Sequence, residues 1–281
     1  MFAIAQMLCA TLKRQTMEEI IYDRIGADYN TTRQADPFLA SRLLDLLQPQ
    51  NDKLYLDIGC GTGNYTIVLA DKGLNFYGVE PSEKMLNEAQ SRNQKINWLL
   101  GTAEQIPAND NTFDGAIAML TIHHWINIQQ SLKEIYRVLK DNGKIVFFTS
   151  TPEQMKGYWL NHYFPKMLNS SIIQIPAFDI INDAATNAGF DITNTEKYFI
   201  QNDLQDHFLY VGKNKPEFYF NEKIRKGISS FSALSNIGEI KQGLARLYSD
   251  IGNGTFKDIK TQYDNNLGDY LFITMEKKDS T

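Results

Sequence analysis

The chain has 281 residues, and 43% of them are hydrophobic, which is enough to bury a core in one large domain. A formal net charge of -5 leaves no excess of positive charge for a phosphate backbone, so the composition disfavours a nucleic-acid partner. Two cysteines in unrelated contexts, Cys9 and Cys60, support neither a disulfide framework nor a cysteine zinc site, so we expect no metal and a cytoplasmic, reducing location.

The N-terminal stretch MFAIAQMLCA is apolar but too short to cross a membrane, and no later segment reaches about eighteen consecutive apolar residues. It also lacks the basic region that precedes the apolar part of a targeting segment. We therefore expect no membrane partner. The motif-bearing part begins at Met17, so residues 1–16 are either an upstream extension or a start-site artefact.

Apolar strands alternate with amphipathic helices between about residues 37 and 150. The predicted strands cover residues 54–58, 75–79, 97–100, 113–119 and 143–150. Helices are predicted at residues 65–72, from Pro81 onward and at residues 128–140. This alternation is typical of a parallel, doubly wound sheet, whose ligands bind at the carboxyl ends of the strands.

The pattern changes after Ser150. A helix and a sixth strand are predicted within residues 178–200, and a seventh strand at residues 270–278. Between them lie about 65 residues, too many for a hairpin loop, with helical patterns at residues 216–228 and 238–254.

We therefore predict an α/β fold with a doubly wound, seven-stranded, mostly parallel, Rossmann-like sheet and a helical cap inserted around the last strands. The expected units are residues 1–16 as an extension, 17–150 as the core with an N-terminal lid helix, 151–178 and 202–266 as the cap, and 179–201 and 267–281 as the end of the core sheet.

The first strand runs into a glycine-rich turn with the sequence LDIGCGTG, which contains Gly59, Gly61 and Gly63. Glycine allows a positive φ and lets a ligand lie against the backbone, and the free N–H groups of the following helix suit an anionic group. Glu80 ends the next strand about 20 residues later, where a carboxylate can accept hydrogen bonds from both hydroxyls of a ribose. These features predict a nucleoside ligand that carries an anionic group.

The glycine spacing separates two types of cofactor. A dinucleotide site has the pattern GxGxxG and room for a pyrophosphate, whereas this chain has GxGxG. The carboxylate of Asp57 is more useful near a positive group. S-adenosylmethionine has an amino-acid end, a ribose and a sulfonium, and these groups match the elements of the turn.

Several further motifs occur in order at the predicted strand ends. They are LDIGCGTGNYT at 56–66, VEPSEKML at 79–86, GTAEQIP at 101–107, FDGAIAMLTIHHW at 113–125 and LKDNGKIVFFT at 139–149. Together they resemble the class I S-adenosylmethionine-dependent methyltransferases of the small-molecule type, with a core like that of the ubiquinone and menaquinone methyltransferases. The resemblance covers about half of the chain, from Tyr22 to Thr149. It implies S-adenosyl-L-methionine as cofactor and antiparallel pairing of the sixth and seventh strands.

The resemblance also implies cofactor contacts along the first four strands. The candidate residues are Asp57, Gly59, Gly61, Gly63, Glu80, Pro81, Met85, Thr102, Ala103, Glu104 and Leu120. In this interpretation Asp57 and the first two glycines surround the methionine part, Glu80 holds the ribose, and Ala103 with Glu104 lies beside the adenine. Met85 is equally consistent with a core position.

An N-terminal helix carries Tyr22 and Tyr29, which lie two helical turns apart on one face. It is either an amphipathic helix packed on the sheet edge or, as the resemblance implies, a lid over the cofactor. In the second case Arg33 would meet the carboxylate of the cofactor.

Methyl transfer requires mainly alignment, and a base only where the acceptor must lose a proton. His123 and His124 follow the fourth strand, and we favour His124 as the base, with the other histidine in a structural role. Aromatic and histidine side chains of the cap form either an acceptor pocket or the core of the cap itself: Tyr158, Trp159, His162, His207 and Tyr210.

Three function classes remain open at this point. They are a methyltransferase acting on oxygen, nitrogen or carbon of a small molecule, an RNA or protein methyltransferase, and a cofactor-binding module without turnover. A basic concave surface would favour the second class, and the lack of an acceptor cavity the third. The sequence does not specify the acceptor or the oligomeric state.

Overall fold

The computed structural model describes residues 29–278, so residues 1–16 and Tyr22 lie outside the described residues, as does the side chain of Tyr29. Seven strands form one sheet in the order β3-β2-β1-β4-β5-β7-β6. The strands are β1 Leu54–Ile58, β2 Asn75–Glu80, β3 Asn97–Leu100, β4 Phe113–Met119, β5 Leu139–Thr149, β6 Phe190–Tyr198 and β7 Tyr270–Lys277.

The first five strands pair in parallel, whereas β7 runs antiparallel to both β5 and β6. The predicted doubly wound, mostly parallel sheet and its antiparallel end are therefore confirmed. Because β1 lies next to β4, the strand order reverses there, and such a switch point opens a crevice at the carboxyl ends of the strands.

Twelve α-helices lie within the described residues. They are α1 Tyr29–Thr32, α2 Pro37–Leu47, α3 Asn64–Ala70, α4 Glu83–Arg92, α5 Ile128–Val138, α6 Pro152–Lys156, α7 Leu160–Tyr163, α8 Pro165–Gln174, α9 Phe178–Ala188, α10 Glu222–Lys226, α11 Ile237–Asn253 and α12 Thr255–Gln262. Short 3-10 turns occur at Ile122–His124 and Pro216–Phe220, and a π-helical turn at Ser230–Leu234.

Side-chain caps explain where several helices begin. Asp36 accepts a hydrogen bond from the backbone N–H of Leu39 at the start of α2, and Ser82 accepts one from Met85 at the start of α4. Thr151 forms a capping box with Gln154 at the start of α6. Each cap satisfies N–H groups that have no partner inside the helix, so the polar residue fixes the first turn.

Several boundaries differ from the sequence prediction by a few residues, and one helix was not predicted. β5 begins at Leu139 instead of Gly143, because Leu139 is fully buried and pairs with Phe113 directly after α5. The Asp-Asn-Gly stretch within β5 bends locally, with Asn142 at a φ of 60°, and the pairing resumes at Lys144 with a shifted register. The helix α12 was not predicted, and it follows Gly254, which has a φ of 87° between two helices.

Two hydrophobic cores lie against the sheet. One contains Leu56, Val79, Phe113 and Ile145 together with buried residues of α5 and α9. The other runs from α2 and the opposite face of the sheet into α6–α8 and the chain between β6 and β7. The helices α6–α8 and α10–α12 thus share a core with the sheet, while the domain boundaries stated above stay a prediction.

Two absences concern the described chain. Between residues 29 and 278, no helix is both long enough and apolar enough to cross a bilayer. In the same range, no three side chains of His, Cys, Asp or Glu are arranged to hold a metal ion.

Candidate active site

The turn after β1 brings the backbone close to a neighbouring loop. Gly59 has a φ of 68°, and its N–H donates to the carbonyl oxygen of Val79 over 2.8 Å. A Cβ atom at this position would lie 2.2 Å from Thr121 Oγ1. Both the backbone conformation and the close approach of the loop after β4 therefore require glycine here.

Gly61 opens the same turn toward a cavity. Its φ is 56°, and the nearest atom to a Cβ placed there would be Met85 Sδ at 3.9 Å. Gly63 differs, because a Cβ there would lie 2.5 Å from the ring of Trp98, so its lack of a side chain serves packing. Each of the three glycines of the motif is thus required for a different structural reason.

The carboxylate of Glu80 is fixed at the wall of the cavity. Its Oε2 accepts from the N–H of Gly61 over 3.0 Å and its Oε1 from the N–H of Ser82 over 3.1 Å. Burial raises the pKa of Glu80, while these two hydrogen bonds and the charge of His124 oppose the rise. Each oxygen has a second lone pair, so the carboxylate retains acceptor capacity toward the cavity.

Asp57 is a buried acid at the end of β1, and only 2% of its surface is exposed. Its Oδ2 accepts from the hydroxyl of Thr66 over 2.6 Å, while its Oδ1 has no hydrogen-bond partner among residues 29–278. Burial raises the pKa of Asp57 to about 7, with the Thr66 hydrogen bond opposing and the charge of Glu80 adding to the rise. A buried carboxylate oxygen without a partner fits a cationic group.

The helix α1 is tied to the glycine turn by side chains. Asn30 Oδ1 accepts from the hydroxyl of Thr62 over 2.6 Å, and Asn64 Nδ2 donates to the carbonyl oxygen of Arg33 over 2.9 Å. Arg92 Nη1 donates to the carbonyl oxygen of Thr62 and to Asn64 Oδ1 over 2.6 and 2.7 Å. These bonds hold the N-terminal segment over the turn.

Arg33 forms an ion pair that the sequence did not predict. Its Nε lies 2.5 Å from Oδ1 of Asp206, and its Nη2 donates to Oδ2 over 3.3 Å. Asp206 is 2% exposed and also accepts from the hydroxyl of Tyr65. No local signal marks Asp206, because its partner lies 173 positions earlier in the chain.

A cavity of about 230 Å³ lies between the glycine turn, the strand ends and the helices that follow β5. Of the residues predicted from the sequence, its wall contains Arg33, Gly59, Gly61, Glu80, Pro81, Met85, Thr102, Ala103, Glu104, Leu120, His123, His124 and Tyr210. Asp57 lines a smaller adjoining cleft together with Arg33, Gly59 and Gly61. The structure thus brings most of the predicted residues to one place.

Three of these wall residues have additional local constraints. Glu104 Oε1 accepts from the N–H groups of Ile126 and Asn127 over 2.8 and 3.2 Å, so this side chain also holds the loop that follows the histidines. Met85 is 2% exposed and still borders the cavity, so it is both a core residue and a wall residue. Leu120 has a φ of 52°, an uncommon conformation for a residue with a side chain.

The two histidines lie in the 3-10 turn Ile122–His124 after β4. Their ring centroids are 4.0 Å apart, and both side chains border the cavity. Glu80 borders this cavity as well, so the two histidines and the acid line the same space.

The predicted acceptor residues require a correction. Tyr158 and Trp159 are each 1% exposed and belong to the core instead of the wall. The hydroxyl of Tyr158 lies 2.5 Å from the hydroxyl of Tyr219. His162 packs on Tyr163, and His207 packs on Phe218. None of these four residues borders the cavity, so the structure does not bring them to the site predicted for them.

Sequence reasoning predicted Phe208 on the cap side of the wall but missed most of the other residues there. The missed residues include Thr149, Ser150, Met155, Ser171, Gln174, Leu209, Ile228, Ser230 and Tyr270. The rule that ligands bind at strand ends could have identified Thr149 and Ser150, since Thr149 ends β5 and Ser150 follows it. The others come from separate segments that only the packing brings together.

Comparison with known proteins extends these observations. A family model described as a methyltransferase domain matches residues 56–147. A solved structure from Anabaena variabilis, described as a candidate methyltransferase from an antibiotic biosynthesis pathway, is 32% identical with a TM-score of 0.77 and covers 86% of this chain and 98% of that one.

Two further proteins match over a smaller part of the chain or at a lower sequence identity. An uncharacterised methyltransferase of Mycobacterium tuberculosis is 31% identical over 148 residues, and the match spans 53% of this chain and 59% of that protein's length. Geranyl diphosphate C-methyltransferase of Streptomyces coelicolor, solved with Mg²⁺, geranyl diphosphate and S-adenosyl-L-homocysteine, is 13% identical with a TM-score of 0.53 over 85% of this chain and 78% of that one.

The strand order, the glycine turn with its buried acid, and the similarity over nearly the full length of the Anabaena structure agree. The chain belongs to the class I S-adenosylmethionine-dependent methyltransferases.

Proposed function

We propose that this chain transfers a methyl group from S-adenosylmethionine to a small-molecule acceptor bound in the cavity. The observation that carries the proposal is the carboxylate of Glu80, buried and fixed by two backbone N–H groups beside the open position of Gly61. Membership of the methyltransferase family supports it. The cavity extends from this carboxylate to the cap helices, where a second molecule would bind beside the cofactor.

The residues present fit the cofactor group by group. Glu80 would accept hydrogen bonds from the ribose hydroxyls, and the unpartnered Oδ1 of Asp57 would accept from the ammonium group of the methionine part. Thr102, Ala103 and Met85 would border the adenine. We assign Arg33 a structural role near the glycine turn instead of a contact with the carboxylate of the cofactor, because its guanidinium is paired with Asp206.

S-adenosylmethionine, when bound, supplies a methyl group that its sulfonium centre already activates. The chain's residues therefore contribute mainly by holding the acceptor in line and by excluding water. Where the acceptor atom carries a proton, we assign His124 as the base that removes it, with His123 as the alternative. Both histidines border the cavity, and neutral imidazole can accept a proton near pH 7.

Calorimetric titration with S-adenosylmethionine and S-adenosylhomocysteine tests the proposal. Glu80→Ala should weaken binding by about a hundredfold or more, because hydrogen bonds to a charged group contribute about 1.5 to 3 kcal/mol each. Glu83→Ala is the matched control, since it removes the same charge from an exposed position in the first turn of α4. Equal binding by both variants would contradict the ribose assignment, and no binding of either compound by the wild-type chain would contradict the function.

The role of His124 has its own test once an acceptor is found. His124→Asn should lower turnover by about a hundredfold at neutral pH, because a positioned base contributes about that much. The affinity for S-adenosylhomocysteine, measured in parallel, reports whether the site is intact. Full activity of this variant between about pH 6 and 9 would remove the histidine from the reaction and leave alignment as the explanation.

A further inference from the structure

The charges around the cavity restrict what it can hold. Among the described residues of its wall, Arg33 is the only lysine or arginine, and its guanidinium is paired with the buried carboxylate of Asp206. The acids Glu80 and Glu104 accept from backbone N–H groups on the side of the glycine turn. A second molecule with a phosphate or carboxylate group would find no unengaged arginine or lysine among these wall residues.

Part of the cap side of the wall is apolar. This part is formed by Met155, Ile175, Phe208, Leu209, Tyr210 and Ile228, whereas Gln174 and Ser229 add polar side chains to the same wall. The hydroxyl of Tyr210 donates to the carbonyl oxygen of Gln154, so this polar group is engaged. An ionised group placed against these apolar side chains would lose its hydration there, which is unfavourable. Besides Arg33, only His123 and His124 among the described wall residues can carry a positive charge.

Two buried serines interrupt the apolar surface. Ser171 on α8 and Ser230 in the π-helical turn are 5% and 7% exposed, and both border the cavity. Their Oγ atoms are 2.8 Å apart, and Ser171 Oγ also lies 3.1 Å from the carbonyl oxygen of Met167. The two hydroxyls thus form a small polar site next to the apolar part of the wall.

Proton accounting shows what this site can offer. If Ser171 donates its single proton to Met167, Ser230 donates to Ser171 and keeps two lone pairs. If Ser171 donates to Ser230 instead, Ser230 keeps one lone pair and its own proton. In both arrangements Ser230 can accept a hydrogen bond from a ligand, so the site matches a hydroxyl or N–H group.

We propose that the methyl acceptor is an uncharged, largely apolar molecule, and that the Ser171–Ser230 pair orients it by accepting a hydrogen bond from its hydroxyl or N–H group. The inference rests on the proposed function, since it assigns the substrate class of the same cavity. It excludes phosphorylated, diphosphorylated and carboxylated acceptors.

Three small probes of similar shape test the inference on the wild-type chain saturated with S-adenosylhomocysteine. They are 1-naphthol, 1-methylnaphthalene and 1-naphthyl phosphate, and equilibrium dialysis measures the affinity of each. We expect 1-naphthol to bind about tenfold more tightly than the phosphate ester or more, because the ester would bury an unpaired charge. We expect it to bind about fivefold more tightly than 1-methylnaphthalene, as one net hydrogen bond predicts.

The double variant Ser171→Ala, Ser230→Ala should lower the affinity for 1-naphthol to that for 1-methylnaphthalene. Retained binding of 1-methylnaphthalene reports that the variant still folds with its cavity. Ser232→Ala is the matched control, since Ser232 is an exposed serine of the same π-helical turn and does not border the cavity.

Tighter or equal binding of the phosphate ester, no measurable binding of 1-naphthol, or an unchanged 1-naphthol affinity in the double variant would overturn the inference. Titration of S-adenosylhomocysteine alone separates this result from the proposed function. Binding of S-adenosylhomocysteine together with failure of the probe pattern refutes only the acceptor class, whereas absence of that binding refutes the function itself.

Discussion

The glycine-turn side of the cavity and the cap side are built by different means. On the turn side, backbone N–H groups at strand ends fix acidic side chains, as Gly61 and Ser82 fix Glu80. On the cap side, aromatic rings pack against one another in a hydrophobic core. The side chains at the edge of this core form the wall of the cavity. The turn side therefore depends on local backbone geometry, and the cap side on tertiary packing.

Hydrogen bonds connect the two sides of the cavity. The N–H of His207 donates to the carbonyl oxygen of Thr32, and Gln205 donates to Asp36 Oδ2. The pair Arg33–Asp206 lies between them, and the next residue after His207 is Phe208, which borders the cavity. These hydrogen bonds and this ion pair are the contacts that link the two sides.

The largest expected effect concerns backbone geometry on the turn side. Gly59→Ala combines a positive φ with a Cβ 2.2 Å from Thr121 Oγ1, so we expect a loss of about 2 to 5 kcal/mol in the free energy of unfolding and loss of cofactor binding. Gly73→Ala is the control, because Gly73 has a φ of 89° with no atom within 4 Å of the added Cβ. Denaturant unfolding and calorimetry of both variants make the measurement, and equal losses would show that close approach to Thr121 is unimportant.

A smaller effect is expected in the cap core. The Tyr219 hydroxyl lies 2.5 Å from the Tyr158 hydroxyl, donates to the carbonyl oxygen of Leu209 and accepts from the N–H of Gly212. Tyr219→Phe should reduce the free energy of unfolding by about 1 to 3 kcal/mol, because it leaves buried polar groups without a partner.

Tyr158→Phe is the matched comparison for this position, since it removes one hydroxyl from the same pair. We expect it to cost about 1 kcal/mol or less. Cofactor affinity should stay near the wild-type value in both variants. A large loss of cofactor affinity with either change would show that the two sides of the cavity are not built independently.

The smallest expected effect is the release of a fraction of a proton from Asp57 when a ligand binds. Burial raises the pKa of this carboxyl to about 7, whereas it is near 4 in an unfolded chain. Stability from this group is therefore fully present below about pH 4 and is lost as the pH rises through about 7. A cationic group bound beside Asp57 would favour the carboxylate, so binding of S-adenosylhomocysteine near pH 6.5 should release a fraction of a proton.

Calorimetry in two buffers with different ionisation enthalpies measures this release. Asp57→Asn should remove the dependence of the binding enthalpy on the buffer at that pH. If the dependence persists in the variant, the proton comes from another group, and the assignment of the ammonium contact to Asp57 is wrong.

Prediction from the sequence succeeded where a short pattern fixes the geometry. The glycines and Glu80 could be placed because a parallel strand must turn sharply before its helix, and because neighbouring strands end at the same edge. The pairing of Arg33 with Asp206 could not be predicted, since it joins segments 173 positions apart. The roles of the cap aromatics could not be predicted either, because a tyrosine in a core and a tyrosine in a wall have the same local pattern.

From the sequence alone we could predict the family by resemblance, the order of strands and helices along the first half, and the side of the site that contains the acids and glycines. These features follow from backbone conformation and from the period of apolar residues, which are local properties. Only the tertiary structure decided that Tyr158 and Trp159 are core residues, and that Ser171 and Ser230 meet at the cavity wall. Their positions depend on how helices from distant parts of the chain pack around one another, and that packing is a property of the whole fold.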